Sequence, residues 1–467
     1  MEGLERFRQQ QNISFHVPGH KHGGLSQLPQ AFKDVMRYDV TELSGLDDLH
    51  SPEEMILDAE NLLADTYGTM KSFFLVNGST VGNLAMIYAT CKKGDTIIVQ
   101  RNAHKSIFHA IELVGAHPVY ISPVWDEWTL TATGIAFDHL KQAIDQYPET
   151  KAVVLTYPTY YGMTSKDIRQ QIAYCHEQSI PVLVDEAHGA HFSACTLFQP
   201  SALTFGADVV VQSAHKTLPA MTMASFMHVN SALVDVDRVN HYLRMLQSSS
   251  PSYVLLASLD DARYYVQTYM ESDGAYIIDK KTQWIDALRS IGSLEVIEVD
   301  DPLKIMLRVK GYSGFQLQEA LEQQGVYAEL ADAYQVLMIL PLLKHGQIYP
   351  FADIRIRIKD AVTALLSVEK ETIQTVASTT YNFIAVTKPA LTFEEIEEKE
   401  KEWVPYMRGI GRISSSMITP YPPGIPLFLP GEKITVAKLS QLEELLATGA
   451  TFQGKHRLEE KLIEVVK

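Results

Sequence analysis

The sequence predicts an α/β protein: a major domain on a mainly parallel sheet, then a small α+β domain and a small C-terminal domain. Three observations predict it. Short β-branched runs alternate with helix-length amphipathic segments through the first half of the chain. Polar, chemically able residues follow directly on four of those runs. Beyond about residue 270 the alternation gives way to a strand, helix, strand pattern and then to a Pro- and Gly-rich stretch.

The elements follow in order. The strand-like runs are "SFFLVNGST", "DTIIVQRNAHKS", "HPVYIS", "KAVVLTYPTYYG", "IPVLVDEAHGAH" and "ADVVVQSAHK". Helix-like segments lie between them at Val81 to Cys91, Ser106 to Gly115, Phe137 to Tyr147 and Ile168 to Gln178. Continuously apolar strands, each separated by a helix, belong to a parallel sheet covered on both faces. Helical stretches at Ser258 to Met270 and Asp279 to Ile291 lead into "LEVIEVDDPLKIMLRV", "GYSGFQLQEALEQQG" and "AYQVLMILPLL", an α+β unit. A linker is expected near Glu369 to Thr392. The segment "FEEIEEKEKEWV" reads as a charged, solvent-facing helix, and "ISSSMITPYPPGIPLFLPGEKI" as a compact loop region. The division is thus 1–51 as an N-terminal segment, 52–270 as the major domain, 271–375 as the small α+β domain and 376–467 as the C-terminal domain.

Totals narrow the function classes. The 467 residues suffice for two or three domains, and 46% hydrophobic with 21% charged residues is a globular composition. A net charge of -16 argues against nucleic acid, because phosphate binding needs clustered Lys and Arg. The same charge suits a cationic small substrate. Cys91, Cys175 and Cys195 form no Cys-x-x-Cys pair, so a reducing compartment is expected rather than a disulfide framework or structural zinc. The start of the chain has no apolar core of signal-peptide length, and the densest apolar run, Val336 to Leu343, is broken by Pro341. A soluble cytoplasmic protein without a membrane partner is the expectation.

Ligands of open α/β sheets bind at the carboxyl ends of the strands. There this chain places Asn77-Gly78-Ser79-Thr80, Arg101-Asn102-Ala103-His104-Lys105, Asp185-Glu186-Ala187-His188 and Ser213-Ala214-His215-Lys216. Each alone has an ordinary explanation: a helix cap, a hydrogen-bonded loop histidine, a solvated lysine. Asp185, His188 and His191 also carry metal-ligand atoms, but a metal reading leaves Lys216 and the Ser-Thr pair unexplained, and no metal is expected. Together the clusters supply a helix start for an anion, an aromatic ring, a carboxylate and an amine. A pyridoxal phosphate site requires those parts. The phosphate needs the helix start and hydroxyls, the aldehyde an amine, and the pyridine nitrogen a carboxylate.

At this point the motifs resemble a family. "HVPGHKHG", "GLDDLHSPEE", "SFFLVNGSTVGN", "QRNAHKS", "LTYPTYYG", "VLVDEAHGAH", "VQSAHKTLPAMTM", "SSSPSY", "VYAELADAY" and "PYPPGIPLFLPGE" span His16 to Glu432. In that order they are similar to the Orn/Lys/Arg decarboxylases, pyridoxal-phosphate-dependent enzymes of fold type I, the aspartate-aminotransferase-like fold, and more narrowly to their short bacterial form. The resemblance implies that Lys216 bonds the cofactor aldehyde and Asp185 pairs with the pyridine nitrogen. It implies that His104 stacks on the ring, that Ser79, Thr80 and Ser213 hold the phosphate, and that His188 lies at the cofactor's hydroxyl side. His215 falls beside the phosphate or the substrate carbon, and Glu329 meets the distal cation of the substrate. It further implies a homodimer with shared active sites, completed through "SSSPSY".

Two departures stand out. The receiver-like wing of the large family members is not expected here, because "HVPGHK" falls within the first twenty or so residues. Glu54 stands where relatives often carry a small residue. The implied reaction is decarboxylation of a basic amino acid for polyamine metabolism, arginine before lysine or ornithine. An aminotransferase or aldolase of the same fold, and an inactive cofactor-binding regulator, are the alternatives.

Overall fold

The computed structural model describes all residues except 11, 368–383, 422–425, 448–449 and 454–455. Seven strands of the major sheet are β1 (Lys71–Leu75), β2 (Thr96–Gln100), β3 (His117–Ile121), β4 (Ala152–Thr156), β5 (Val182–Asp185), β6 (Val209–Gln212) and β7 (Ser225–Val229). They lie in the order β1-β7-β6-β5-β4-β2-β3, and Val386–Thr387 adds an eighth strand beside β3. The pairs β3/β2, β2/β4, β4/β5 and β5/β6 are parallel. Only β7 and the edge strand run against their neighbours. The sheet is therefore mainly parallel, as the alternating runs predict.

Both faces are covered, because successive residues of each strand point to opposite sides. Ile98, Val153, Val184 and Val210 join one apolar cluster, and Ile97, Val99, Val154, Leu183 and Val211 join the other. The helix Gly78–Thr90 sits close on the sheet: a Cβ on Gly82 would lie 2.7 Å from Leu75 Cδ1 and 2.8 Å from Val211 Cγ1. Glycine at that position lets the start of this helix press down on the strand ends. The N-terminal segment packs on the same body, with Leu4, Val40, Leu46 and Leu49 in its core. Asp47 caps the helix Met55–Tyr67, Oδ2 accepting from Glu54 N at 2.8 Å and Ile56 N at 2.9 Å.

Residues beyond 270 form a second layer system. An antiparallel sheet of Leu294–Glu298, Lys304–Val309, Val336–Ile339 and Leu330–Ala331 is backed by Glu271–Arg289, Gly314–Gln323 and Phe351–Ser367. Near the C-terminus, Lys401–Pro405 pairs antiparallel with Leu462–Val466, and the helix Val436–Ala447 packs alongside.

The structure corrects three readings. The charged helix covers only Phe393–Glu397; Lys401–Pro405 is a strand, because Val404 is buried opposite Ile463. The expected linker is not all connection: Val386–Thr387 extends the major sheet, while 369–383 lie outside the described residues. In the Pro-rich run, Thr419–Tyr421 is a strand paired with Thr451–Gln453, and 422–425 lie outside the described residues. Among the described residues no helix is long and apolar enough to cross a membrane.

Candidate active site

The strand ends of the major sheet converge on a cavity of about 300 Å³. Ser79, Thr80, His104, Asp185, His188, Ser213, His215 and Lys216 all line it. Glu329 does not, but it reaches the cavity wall through Tyr160, whose hydroxyl donates to Glu329 Oε1 at 2.7 Å. Glu54 is exposed and does not line the cavity.

Lys216 follows β6 on a single turn of helix, Ala214–Thr217. Its Nζ is 2.9 Å from His188 Nε2 and 5.6 Å from the centre of the Tyr160 ring. Burial lowers the pKa of this amine, against the pull of Asp185 and Glu329 in the opposite direction. Burial also takes His188 well below its ordinary value, helped by Lys216 and Lys304. Burial thus favours the neutral forms of both groups, and the neutral amine is the form that acts as a nucleophile.

Asp185 ends β5 and is 3% exposed, so its carboxylate needs partners. Oδ2 accepts from Asn83 Nδ2 at 2.9 Å and Oδ1 from Ala187 N at 3.1 Å. Asn83 also donates to Ser106 Oγ at 2.9 Å, and Ser106 lies 2.8 Å from His104 Nδ1. The carboxylate and the ring of His104 are thereby fixed to one another. His104 caps the helix Lys105–Val114, its side chain accepting from Ser106 N.

The anion end lies at the start of the helix Gly78–Thr90. Gly78 adopts φ 78°, a conformation side chains rarely take, and the first-turn N–H groups have no intrahelical acceptor. Ser79 Oγ is 2.5 Å from Ser213 Oγ and donates to Ser225 Oγ at 3.1 Å, while Thr80 is exposed at the rim. His215 is half-buried, Nδ1 3.1 Å from Ala224 O, and burial lowers its pKa.

Asp185, His188 and His191 do not converge. Their partners are Asn83, Lys216 and Asp301 respectively. Sequence reasoning missed Asn83, Ser106, Ser225 and Tyr160. Asn83 and Ser79 are four apart, one face of a helix, which is the signal that could have found the first. Tyr160 stood in a quoted motif without a role, and Ser225 comes from the antiparallel strand that the alternation does not reveal.

This donor set fits pyridoxal phosphate. A helix start with clustered hydroxyls faces an amine and a held carboxylate, and Thr156 Oγ1, buried beside Asp185 in the register of β4 and β5, has no hydrogen-bond partner. The carboxylate would meet a ring nitrogen, the amine an aldehyde, and the helix start a phosphate.

Comparison with known proteins points the same way. A model of the Orn/Lys/Arg decarboxylase major domain matches residues 1–307, and one of the Orn/Lys/Arg decarboxylase C-terminal domain matches 370–454. The chain is 44% identical over 463 residues to the uncharacterized protein YaaO of Bacillus subtilis, covering 97% of this chain and 95% of that one. It is 32% identical over 481 residues to the arginine decarboxylase of the same organism, covering 100% and 97%. The solved lysine decarboxylase LdcF of Francisella novicida superposes with a TM-score of 0.80 at 21% identity, covering 99% of this chain and 80% of that one.

Proposed function

This chain belongs to the Orn/Lys/Arg decarboxylase family, pyridoxal-phosphate-dependent enzymes acting on basic amino acids, and we propose that its own substrate is arginine, which it converts to the amine and CO2. The observation that carries the choice is Glu329. Hydrogen-bonded to Tyr160, it offers a carboxylate across the ring from Lys216, where the distal end of a bound amino acid would lie. A guanidinium presents a planar fork of donors that matches a carboxylate better than a compact ammonium does. The Bacillus relative named an arginine decarboxylase, matched along its length, supports the same choice.

When bound, pyridoxal phosphate supplies a conjugated sink for the electron pair released as the Cα–carboxylate bond breaks. The rest falls to the chain. The helix start with Ser79, Thr80 and Ser213 would bind the phosphate, and Asp185, held by Asn83, would balance a protonated ring nitrogen. His104 would lie against the ring. His188 holds Lys216 Nζ by a hydrogen bond, and Lys216 or His215 would deliver a proton to Cα. Glu329 and Tyr160 orient the substrate, and orientation decides which bond at Cα breaks.

A cytoplasmic homodimer with shared sites accompanies this reading. In its support, exposed Ser248 to Ser250 stand beside the anion end, Ser248 N donating to Asn77 Oδ1 at 3.0 Å. The test is a panel of arginine, lysine and ornithine assayed for CO2 and amine, with kcat/KM for each. Arginine is expected to lead. Faster turnover of lysine or ornithine overturns the substrate, and keto acid without CO2 overturns the reaction.

A further inference from the structure

Behind Tyr160 lies a charge cluster that the chemistry above leaves unused. Lys304, Asp301 and His191 are each 0% exposed. Asp301 Oδ1 accepts from Leu303 N and lies 2.9 Å from His191 Nε2, and Oδ2 is 3.5 Å from Lys304 Nζ. Burial pushes the Lys304 ammonium down to about 8 even though Asp301 pulls it up. Desolvation cancels much of the attraction in a buried ion pair, so stability alone is a poor reason for one here. Its position is the informative fact.

Lys304 Nζ donates to Tyr160 O at 3.0 Å. Tyr160 is thus held from the small α+β domain at both ends, its carbonyl by Lys304 and its hydroxyl by Glu329. Between those anchors its ring lies 4.4 Å from the ring of His188 and 5.6 Å from Lys216 Nζ. The turn just after it fits closely. Gly162 adopts φ 89°, and a Cβ there would lie 2.8 Å from Asp301 Cβ and 2.9 Å from Lys304 Cδ.

We propose that Lys304 is a positioning residue: by holding the Tyr160 carbonyl it sets the Tyr160 ring against Lys216 and His188, so that the seating of the small α+β domain governs the reactivity of the Lys216 amine. The inference rests on Lys216 being the cofactor-bearing amine. Around that amine, Asp185 and Glu329 favour the charged form, and Lys216 and Lys304 are like charges whose repulsion lowers Lys304; His188, His104 and His215 complete the ionisable surroundings. Asp301 and His191 face Lys304 from the other side. Removing the Lys304 cation relieves one like charge, so the neutral amine forms at higher pH.

The experiment follows uptake of pyridoxal phosphate by the apo-protein as a function of pH, read from visible absorbance, alongside kcat and KM. In Lys304→Met the midpoint is expected to rise by about half a pH unit, the scale of one partly screened like charge. kcat is expected to fall about tenfold with KM little changed, as for a misplaced catalytic group. Lys304→Gln keeps a donor for the Tyr160 carbonyl and should recover part of the lost kcat. An unmoved midpoint in Lys304→Met, or a glutamine variant no better than methionine, overturns the proposal. If Lys304→Met does not fold, the double variant D301N/K304M, which leaves neither partner of the pair charged, takes its place: kcat is expected to fall by the same factor while the midpoint moves less, because one charge of each sign is removed, and an unchanged kcat there overturns the proposal. Lys216→Ala separates the two readings: retention of the visible band there refutes the cofactor lysine itself, whereas loss of the band with an unmoved Lys304→Met midpoint refutes only the role of Lys304.

Discussion

On the sheet side of the cavity, polar groups sit at strand ends or first helical turns and are held from within the same domain: Asp185 by Asn83, His104 by Ser106, Ser79 by Ser213. On the opposite side, Glu329 and Lys304, both beyond residue 270, are hydrogen-bonded to Tyr160, which follows β4. The first wall comes from the strand ends and helix starts of one sheet, and the second needs contacts between Tyr160 and residues beyond 270. The groups proposed to handle the cofactor therefore share one wall, while Glu329, the group proposed to meet the substrate's distal end, lies on the other.

That contrast is broken or sharpened most strongly at Lys216. Lys216→Ala should abolish the visible absorbance of the bound cofactor and lower turnover by more than about a thousandfold, beyond the middle of the range for loss of one proton-transfer group. Spectrum and activity check it together. Asp185→Ala comes next: part of the cofactor should stay bound while kcat falls by about a hundred- to a thousandfold, the scale of losing one preorganised electrostatic partner. Complete loss of binding would mean that Asp185 holds the cofactor rather than tuning it. On the opposite wall, Glu329→Gln should leave the cofactor spectrum unchanged and lower kcat/KM for arginine roughly ten- to a hundredfold, chiefly through KM, as for one charged hydrogen bond. A fall in kcat alone would erase the distinction between the walls.

The same contrast explains what was legible. Parallel strands announce themselves as continuous apolar runs, and ligand groups at their carboxyl ends are visible as polar residues at fixed offsets, so the sheet and the residues lining one wall could be read directly. The strand β7 could not. It follows β6 after only the single helical turn Ala214–Thr217 and runs antiparallel to it, and it carries His228 in a buried bond to Ser72 from β1. Asn83 was hidden for a different reason: its spacing from Ser79 puts it on the cavity face of the helix, but its partner Asp185 lies 102 positions away. Tyr160 and Lys304 were hidden twice over, because a backbone carbonyl accepts from the lysine and no pattern of side chains encodes that contact.

The C-terminal domain offers the smallest effect and a control, since its buried charges join it to the major domain without a catalytic partner. Arg101, one residue before the cavity-lining Asn102, donates from Nη2 to Glu432 Oε2 at 2.7 Å, and Lys438 Nζ donates to the same oxygen at 2.7 Å. Burial alone would raise the Glu432 carboxyl, but Arg101 and Lys438 outweigh it and hold the group down at about 2. A carboxylate whose folded pKa is depressed contributes stability above its unfolded value of about 4.3 and loses it as pH falls towards the folded one. Thermal stability should therefore decline between about pH 4 and pH 2, by on the order of 2–3 kcal/mol from this group. Asp301, also held at about 2 by His191 and Lys304 against its burial, adds a second decline in the same window. Glu432→Gln should flatten only the first part. A thermal-melt series in which that variant keeps the full acid slope would assign all of it to the small-domain cluster, and would make the clamp behind Tyr160 the dominant electrostatic contact between domains.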